Sequence, residues 1–159
     1  MTRNQLTTTI AALLISLPLI AHSGPNTIDT SIMMEDQSAH DFATTIAQFE
    51  EAVDDAGWAI ITTHNMQQTL QRHGHDVESI KVFELCSAKY SAKILELDDE
   101  RVVSPLMPCR VSIYKKSDGH TYISRMDNTK IARPFGGVVE EVMTQATNDI
   151  EDILSGLIR

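Results

Sequence analysis

Two cysteines, Cys86 and Cys109, are the residues of this chain whose type and position point most directly to chemistry. In an exported protein a pair of cysteines usually forms a disulfide, because oxidising compartments favour the bond. A helix is expected after Cys86, followed by a loop long enough to bring the chain back, so pairing is sterically allowed. The bond would close a loop of about 20 residues and stabilise the fold by about 3 kcal/mol. We therefore expect a structural disulfide between Cys86 and Cys109.

The same two cysteines could instead act as a working thiol pair. Cys86 immediately precedes Ser87, the expected start of a helix, and Lys89 follows closely. A helix N-terminus and a nearby ammonium group both favour the thiolate form of a cysteine. Cys109 shares a strand face with the apolar Val111, and a buried thiol is inert. Because no Cys-x-x-Cys motif is present, thiol redox or sulfur-carrier activity is an alternative and not the leading interpretation.

Sulfur and imidazole side chains suggest a third alternative, the binding of copper or haem iron. The candidate ligands are Cys86, Cys109, Met107, His73 and His75, and thiolates, thioethers and imidazoles suit these metals. The sequence has neither a Cys-x-x-Cys-His nor a His-x-x-x-His motif. A histidine at a helix end and a methionine in a core also have ordinary structural roles. No cofactor is therefore expected, and copper or haem is kept as the alternative.

These side chains are positioned by elements that the hydrophobic pattern predicts in the order β-α-β-α-β-α-β-β-α. The expected elements are a strand over Asn26–Met34, a helix capped by Ser38 and ended by Gly57, a strand over Trp58–Thr63, a short helix over Asn65–His73, a strand over Val77–Leu85, a helix from Ser87 to about Leu97, a hairpin of Cys109–Lys116 with His120–Met126, and a closing helix over Val138–Ile158. The stretches Asp98–Pro108 and Thr129–Gly137 are expected to be irregular. The pattern predicts a two-layer α+β fold, with an antiparallel or mixed sheet packed against amphipathic helices.

Residues 1–23 have the features of a secretory signal peptide. Arg3 supplies the positive start, Ile10–Ala21 is largely apolar, and small residues at Ala21 and Ser23 fit cleavage before Gly24. The apolar run is short for a membrane span, which needs about 20 residues. We therefore expect a periplasmic or secreted protein whose single domain covers residues 24–159.

The charge balance excludes several classes of partner. The chain has 13 Lys and Arg against 22 Asp and Glu, a formal net charge of −9, and no basic stripe. An acidic surface repels phosphate backbones and anionic lipid. We expect no binding of nucleic acid and no stable membrane insertion after the signal peptide is cleaved.

Catalytic motifs are also missing from the sequence. There is no Gly-x-Ser-x-Gly elbow for a hydrolase and no Gly-rich phosphate loop. Glu84 could act as a general base, but a lone carboxylate on a strand is usually solvated. The lack of these motifs favours a function other than catalysis, and whether the protein is an enzyme stays open at this point.

The strand and hairpin segments carry a family resemblance. Val82-Phe83-Glu84-Leu85-Cys86, then Leu106-Met107-Pro108-Cys109-Arg110-Val111-Ser112-Ile113-Tyr114, then Asp118-Gly119, resemble the domain of unknown function 302 family. The spacing of Gly57 and Gly74 is similar too, and the resemblance covers Phe42 to Ala132. It implies a compact α+β fold that often self-associates, hence a homodimer, and it implies no activity or catalytic residue. The leading hypothesis is an exported module that binds a small ligand or a partner.

Overall fold

A computed structural model describes residues 32–159. The elements in chain order are β1 Met33–Gln37, α1 Phe42–Asp55, β2 Ala59–Asn65, α2 Met66–Gln71, β3 Ile80–Cys86, α3 Ala88–Leu95, a 3-10 helix Asp99–Leu106, β4 Cys109–Lys115, β5 Thr121–Met126, α4 Asn128–Ala132 and α5 Gly137–Leu154. Within this part of the chain no helix is long and apolar enough to cross a membrane.

The five strands form one sheet in the order β1-β5-β4-β3-β2. Every neighbouring pair is antiparallel, and β4 and β5 form the predicted hairpin through the turn at Gly119, whose φ is +84°. A positive φ is easily adopted only by glycine, which explains the Asp118-Gly119 turn signal in the sequence. The predicted α+β class is confirmed, and the sheet is wholly antiparallel.

The core lies between one face of the sheet and the helices α1, α3 and α5. Alternate residues of β3 and β4 point into it, as in a strand with one buried face; Phe83, Leu85, Val111 and Ile113 are each at most 1% exposed. Phe49 of α1 meets Phe83 with ring centroids 5.1 Å apart in an edge-to-face arrangement.

The closing helix α5 buries the stripe that its helical spacing predicts. The apolar residues that recur at helical spacing and are buried in this helix are Val139, Val142, Met143, Ala146, Ile150, Ile153 and Leu154. Burial of this stripe fixes α5 against the sheet, next to α3 and α1.

The beginning of the fold differs from the prediction. The first strand spans Met33–Gln37, further along the chain than the predicted Asn26–Met34, most of which lies outside the described residues. The predicted signal peptide, residues 1–23, also lies outside them. Strand β1 pairs with β5, where Met33 lies opposite Met126, so the tertiary pairing determines where the strand begins.

Three further predictions were wrong in detail. Most of the stretch Asp98–Pro108, expected to be irregular, forms the 3-10 helix Asp99–Leu106. Helix α1 is capped by Asp41, whose carboxylate accepts hydrogen bonds from the N–H groups of Ala43 and Thr44, and not by Ser38. Residues 128–132 form the short helix α4, where an irregular segment was expected. Its start is fixed by Asp127, whose side chain accepts from the N–H of Lys130.

Candidate functional site

A pocket with a volume of about 260 Å³ lies where α3 and α5 meet the ends of β3 and β4. Most of its lining is apolar: the residues around it are Trp58, Ile61, Leu85, Cys86, Ser87, Tyr90, Ser91, Ile94, Leu95, Ser104, Met107, Pro108, Cys109, Asn128, Val142, Met143 and Ala146. Concave, mostly apolar sites with a few polar groups are the usual places where proteins bind small molecules. Both cysteines singled out in the sequence lie in its wall.

Helix α3 supplies a wall whose composition changes along the helix. Its lining residues are Ser87, Tyr90, Ser91, Ile94 and Leu95, and steps of three and four residues place them on one helical face. The two serines lie toward the N-terminal end of α3, and the two aliphatic residues lie at its C-terminal end. This wall is therefore polar at one end and apolar at the other.

Helix α5 and the sheet supply firmly packed surfaces opposite α3. Val142, Met143 and Ala146 of α5 are each no more than 6% exposed, and Leu85 of β3 is 1% exposed. Residues buried to this extent are held by close packing, so the pocket is a formed feature of the fold.

Aliphatic side chains surround the opening of the pocket. Ile61 of β2 is 54% exposed and Leu95 of α3 is 37% exposed, and both belong to the lining. Exposed side chains in the lining of a pocket mark the side on which it opens to solvent. The pocket is thus accessible from solvent through an apolar rim.

The disulfide predicted between the two cysteines is not formed, and both thiols are free. The strand register places Cys109 opposite Leu85, not opposite Cys86. Each sulfur atom has its own polar neighbour: Cys86 Sγ lies 3.4 Å from Ser91 Oγ, and Cys109 Sγ accepts from Asn128 Nδ2 at 3.7 Å. The spacing of the cysteines permitted the bond, but in the structure each sulfur atom has a different polar partner and no bond joins them.

Burial raises the pKa of the Cys109 thiol to about 11, with a smaller contribution from the neighbouring Cys86. An apolar environment disfavours the charged thiolate, which is the nucleophilic form. Cys109 is therefore a neutral, unreactive thiol at physiological pH, as its strand position suggested. The predicted burial of Cys109 is therefore confirmed, and the working thiol pair, in which Cys109 is the sheltered sulfur, stays a prediction.

The candidate metal ligands are divided between two places. Met107, Cys86 and Cys109 line the pocket, whereas His73 and His75 follow α2 on the exposed surface and take no part in it. Within residues 32–159 no three His, Cys, Asp or Glu side chains are grouped so that they could hold a metal ion. The structure thus separates the sulfur ligands from the imidazole ligands that the sequence offered as one set.

Ser87 has an unusual position in the pocket wall. It is the N-cap residue of α3, as predicted, but its side chain makes no capping hydrogen bond. The residue is only 7% exposed, and it lines the pocket. Within residues 32–159 this hydroxyl has no hydrogen-bond partner, and because no unpartnered side-chain oxygen there is sealed inside protein, it is open to solvent at the polar end of the pocket.

Several lining residues were not identified from the sequence. Tyr90, Ser91 and Met143 attracted no functional interpretation, although Ser87 and Ser91 lie four residues apart and so share a helical face. That spacing was the available signal. The spacing of Ser87 and Ser91 points to a pocket wall only when the structure shows that α5 packs next to the same face of α3.

Glu84 lies away from the pocket, on the uncovered face of the sheet. It accepts a hydrogen bond from Arg110 Nη2 at 3.1 Å, and His64 Nε2 lies 3.1 Å from the same oxygen atom. These contacts, the one with His64 foremost, hold the pKa of Glu84 below its usual value. The Glu84 carboxylate therefore pairs with Arg110 and His64 on the surface of the sheet. It is not placed to act as a base in the pocket.

Comparison with known proteins identifies the fold and the family. The model of a domain of unknown function, DUF302, matches residues 34–157, a longer stretch than the resemblance in the sequence covered. The crystal structure of an uncharacterized conserved DUF302 protein from Bacillus stearothermophilus is similar, with a TM-score of 0.71 and 18% sequence identity. The similarity covers 79% of this chain and 97% of that one, and at this identity it shows the fold alone. No curated protein matches the chain. The chain therefore belongs to the DUF302 family.

Proposed function

We propose that this protein binds a small, largely apolar molecule in the pocket between α3, α5 and the sheet. The observation that carries the proposal is the pocket itself, with a volume of about 260 Å³ and a mostly apolar lining. Burial of hydrocarbon contributes about 0.8 kcal/mol per methylene group, so such a lining favours apolar ligands. Export from the cytoplasm, homodimer formation and copper or haem binding stay predictions beside this proposal.

The size of the pocket restricts the ligand. A water molecule takes about 30 Å³ in the liquid, so the pocket has room for roughly nine non-hydrogen atoms of similar size. The volume is below the roughly 300–1,000 Å³ typical of drug-sized ligands. We therefore expect a compact molecule or a short hydrocarbon chain, and the volume favours neither a haem nor a long lipid.

The proposal is tested with straight-chain alcohols, because they carry no charge and differ only in hydrocarbon length. Isothermal titration calorimetry should show one saturable site for 1-octanol. Binding of 1-hexanol should be roughly tenfold weaker, since two fewer methylene groups are buried. A protein that binds neither alcohol, or binds both with the same affinity, would contradict the proposal.

Filling the pocket supplies the matched control. Ala146 of α5 is 6% exposed and lines the pocket, whereas Ala47 of α1 lies on the exposed side of its helix. Ala146→Leu should lower the affinity for 1-octanol at least tenfold, and Ala47→Leu should leave it unchanged. If Ala146→Leu loses its native circular dichroism spectrum, Ser91→Leu fills the same space from the less buried wall of α3. Undiminished binding by a folded pocket-filling variant would place the ligand elsewhere.

A further inference from the structure

We infer that the ligand of this pocket is a short-chain carboxylate, held with its carboxylate at the start of α3 and its hydrocarbon chain along α3. The inference rests on the proposed function and adds to it the chemical class of the ligand. It follows from the unpartnered Ser87 hydroxyl, the exposed start of the helix, the nearby lysines and the length of the wall.

The first observation is the Ser87 hydroxyl. Ser87 is 93% buried, since its exposed fraction is 7%, and it lines the pocket. Within residues 32–159 its hydroxyl has no hydrogen-bond partner, and no unpartnered side-chain oxygen or nitrogen there is sealed inside protein. The hydroxyl is therefore reached from the pocket, where it can donate to an acceptor on a ligand.

The second observation is the start of helix α3. The first N–H groups of a helix have no partner within the helix, and together with the helix dipole they attract negative charge. Helix α3 has no side-chain cap and no acidic residue in its first turn, where Lys89 stands instead. An anion bound beside Ser87 would supply the negative charge that this end of the helix lacks.

The third observation is the local charge. The ammonium groups of Lys89 and Lys93 lie 4.8 Å and 5.9 Å from the centroid of the Tyr90 ring, and Tyr90 lines the pocket. Two cations therefore flank the α3 wall in a chain whose net charge is −9. Neutral and cationic ligands gain nothing from this arrangement, whereas an anion gains from both the lysines and the helix start.

The length of the wall fixes the length of the ligand. From Ser87 to Leu95 the helix axis rises about 12 Å at 1.5 Å per residue. A carboxylate at Ser87 can thus extend an alkyl chain as far as Ile94 and Leu95, the apolar end of the same wall. Octanoate has about the number of non-hydrogen atoms that the pocket admits, so it is the suitable probe.

The experiment compares octanoate, 1-octanol and octylamine by calorimetry at pH 7.5. The three have the same hydrocarbon chain, and their head groups are anionic, neutral and cationic. We expect octanoate to bind at least tenfold more tightly than 1-octanol, and octylamine to bind more weakly than either. If 1-octanol binds but octanoate binds no more tightly, the inference fails and the proposed apolar pocket stands. If none of the three binds, both fail.

Two variants locate the head group. Ser87→Ala and Lys89→Gln should each reduce the affinity for octanoate several-fold and reduce that for 1-octanol by much less, because hydrogen bonds to a charged carboxylate are stronger than those to a neutral hydroxyl group. Ser117→Ala, in the exposed β4–β5 turn, is the matched serine control and should alter neither affinity. An equal loss of octanoate and 1-octanol binding in Ser87→Ala would show that Ser87 only shapes the pocket, and it would overturn the inference.

Discussion

Ser38 and Ser87 are both buried serines near the start of a helix, yet their hydroxyl groups have opposite surroundings. Ser38, before α1, is 2% exposed, and Ser87, before α3, is 7% exposed. Ser38 Oγ lies 2.7 Å from Thr45 Oγ1, donates to the carbonyl oxygen of Leu157 at 3.2 Å, and accepts from the N–H of His40 at 3.1 Å. Within residues 32–159 the hydroxyl of Ser87 has no such partner.

The two helix starts differ in the same way. At α1 the carboxylate of Asp41 takes the N–H groups of Ala43 and Thr44, so the first turn is complete without any ligand. At α3 neither a capping side chain nor an acidic residue is present. Paired polar groups at the start of α1 stabilise the fold, because a buried polar group is costly when it has no partner. The start of α3 has no such pairing and adjoins the pocket.

The largest expected effect tests how apolar the pocket region is. Burial raises the pKa of Cys109 to about 11 from an ordinary value of 9.0. The folded protein keeps this proton at pH values where the unfolded chain has lost it, so stability is complete below about pH 9 and declines toward pH 11. Two pKa units correspond to about 2–3 kcal/mol in the free energy of unfolding.

The measurement is urea unfolding between pH 8 and pH 11, followed by circular dichroism. Cys109→Ala is the matched control, because it removes the titrating thiol and keeps every other group that titrates in this range. The variant should show a flatter dependence of stability on pH than the unchanged protein. Parallel curves would mean that Cys109 is well solvated and that the pocket region is wetter than its burial indicates.

The second effect tests the region before α1, where the hydroxyl group of Ser38 has hydrogen-bond partners. Ser38→Ala removes a buried hydroxyl that joins three groups, and it leaves the carbonyl of Leu157 and the N–H of His40 without this partner. We expect the free energy of unfolding to fall by about 1–2 kcal/mol, because the N–H of His40 loses its partner while the carbonyl of Leu157 keeps the N–H of Ala39. Urea unfolding at pH 7 measures it, with Ser117→Ala as an exposed serine control. A loss no larger than that of the control would remove the contrast between the two regions.

The third effect concerns the Asp41 cap of α1, a kind of cap that α3 does not have. Hydrogen bonds from the N–H and the hydroxyl of Thr44 hold the pKa of Asp41 below its usual value. The contribution of the ionised carboxylate is therefore complete above the unfolded pKa of about 4 and is lost as the pH falls through the folded value. Asp41→Ala should destabilise the protein at pH 7 by less than Ser38→Ala does. The difference in stability between Asp41→Ala and the unchanged protein should shrink as the pH falls from about 5 to about 2. A constant difference across that range would show that the charge of Asp41 does not contribute.

Much of the fold was predictable because it depends on local periodicity. The stripe of α5 repeats at helical spacing and is buried as predicted. Gly57 has a φ of +71° after α1, which explains why the helix ends where a glycine stands. The β4–β5 hairpin follows from its Asp-Gly turn. These features depend on residues that are close together in the sequence.

The candidate site was only partly predictable because it depends on contacts between distant segments. The sequence singled out Cys86, Cys109 and Met107, and all three line the pocket. It did not reveal that the register places Leu85 opposite Cys109, or that both thiols stay free. It also suggested Ser38 and Ser87 equally as caps, since spacing alone cannot show where a serine hydroxyl will find its partner.

The smallest expected effect is the most informative for the comparison. Ser87→Ala removes a hydroxyl with no partner among the described residues, so no hydrogen bond within them is broken. We expect the free energy of unfolding to change by less than about 0.5 kcal/mol without ligand, against the much larger loss for Ser38→Ala. Urea unfolding of both variants under the same conditions makes the test, and a loss in Ser87→Ala equal to that in Ser38→Ala would show that Ser87 is structural. Because the two substitutions remove the same atom from similarly buried positions, any difference between them reports what surrounds each hydroxyl and not the serine itself.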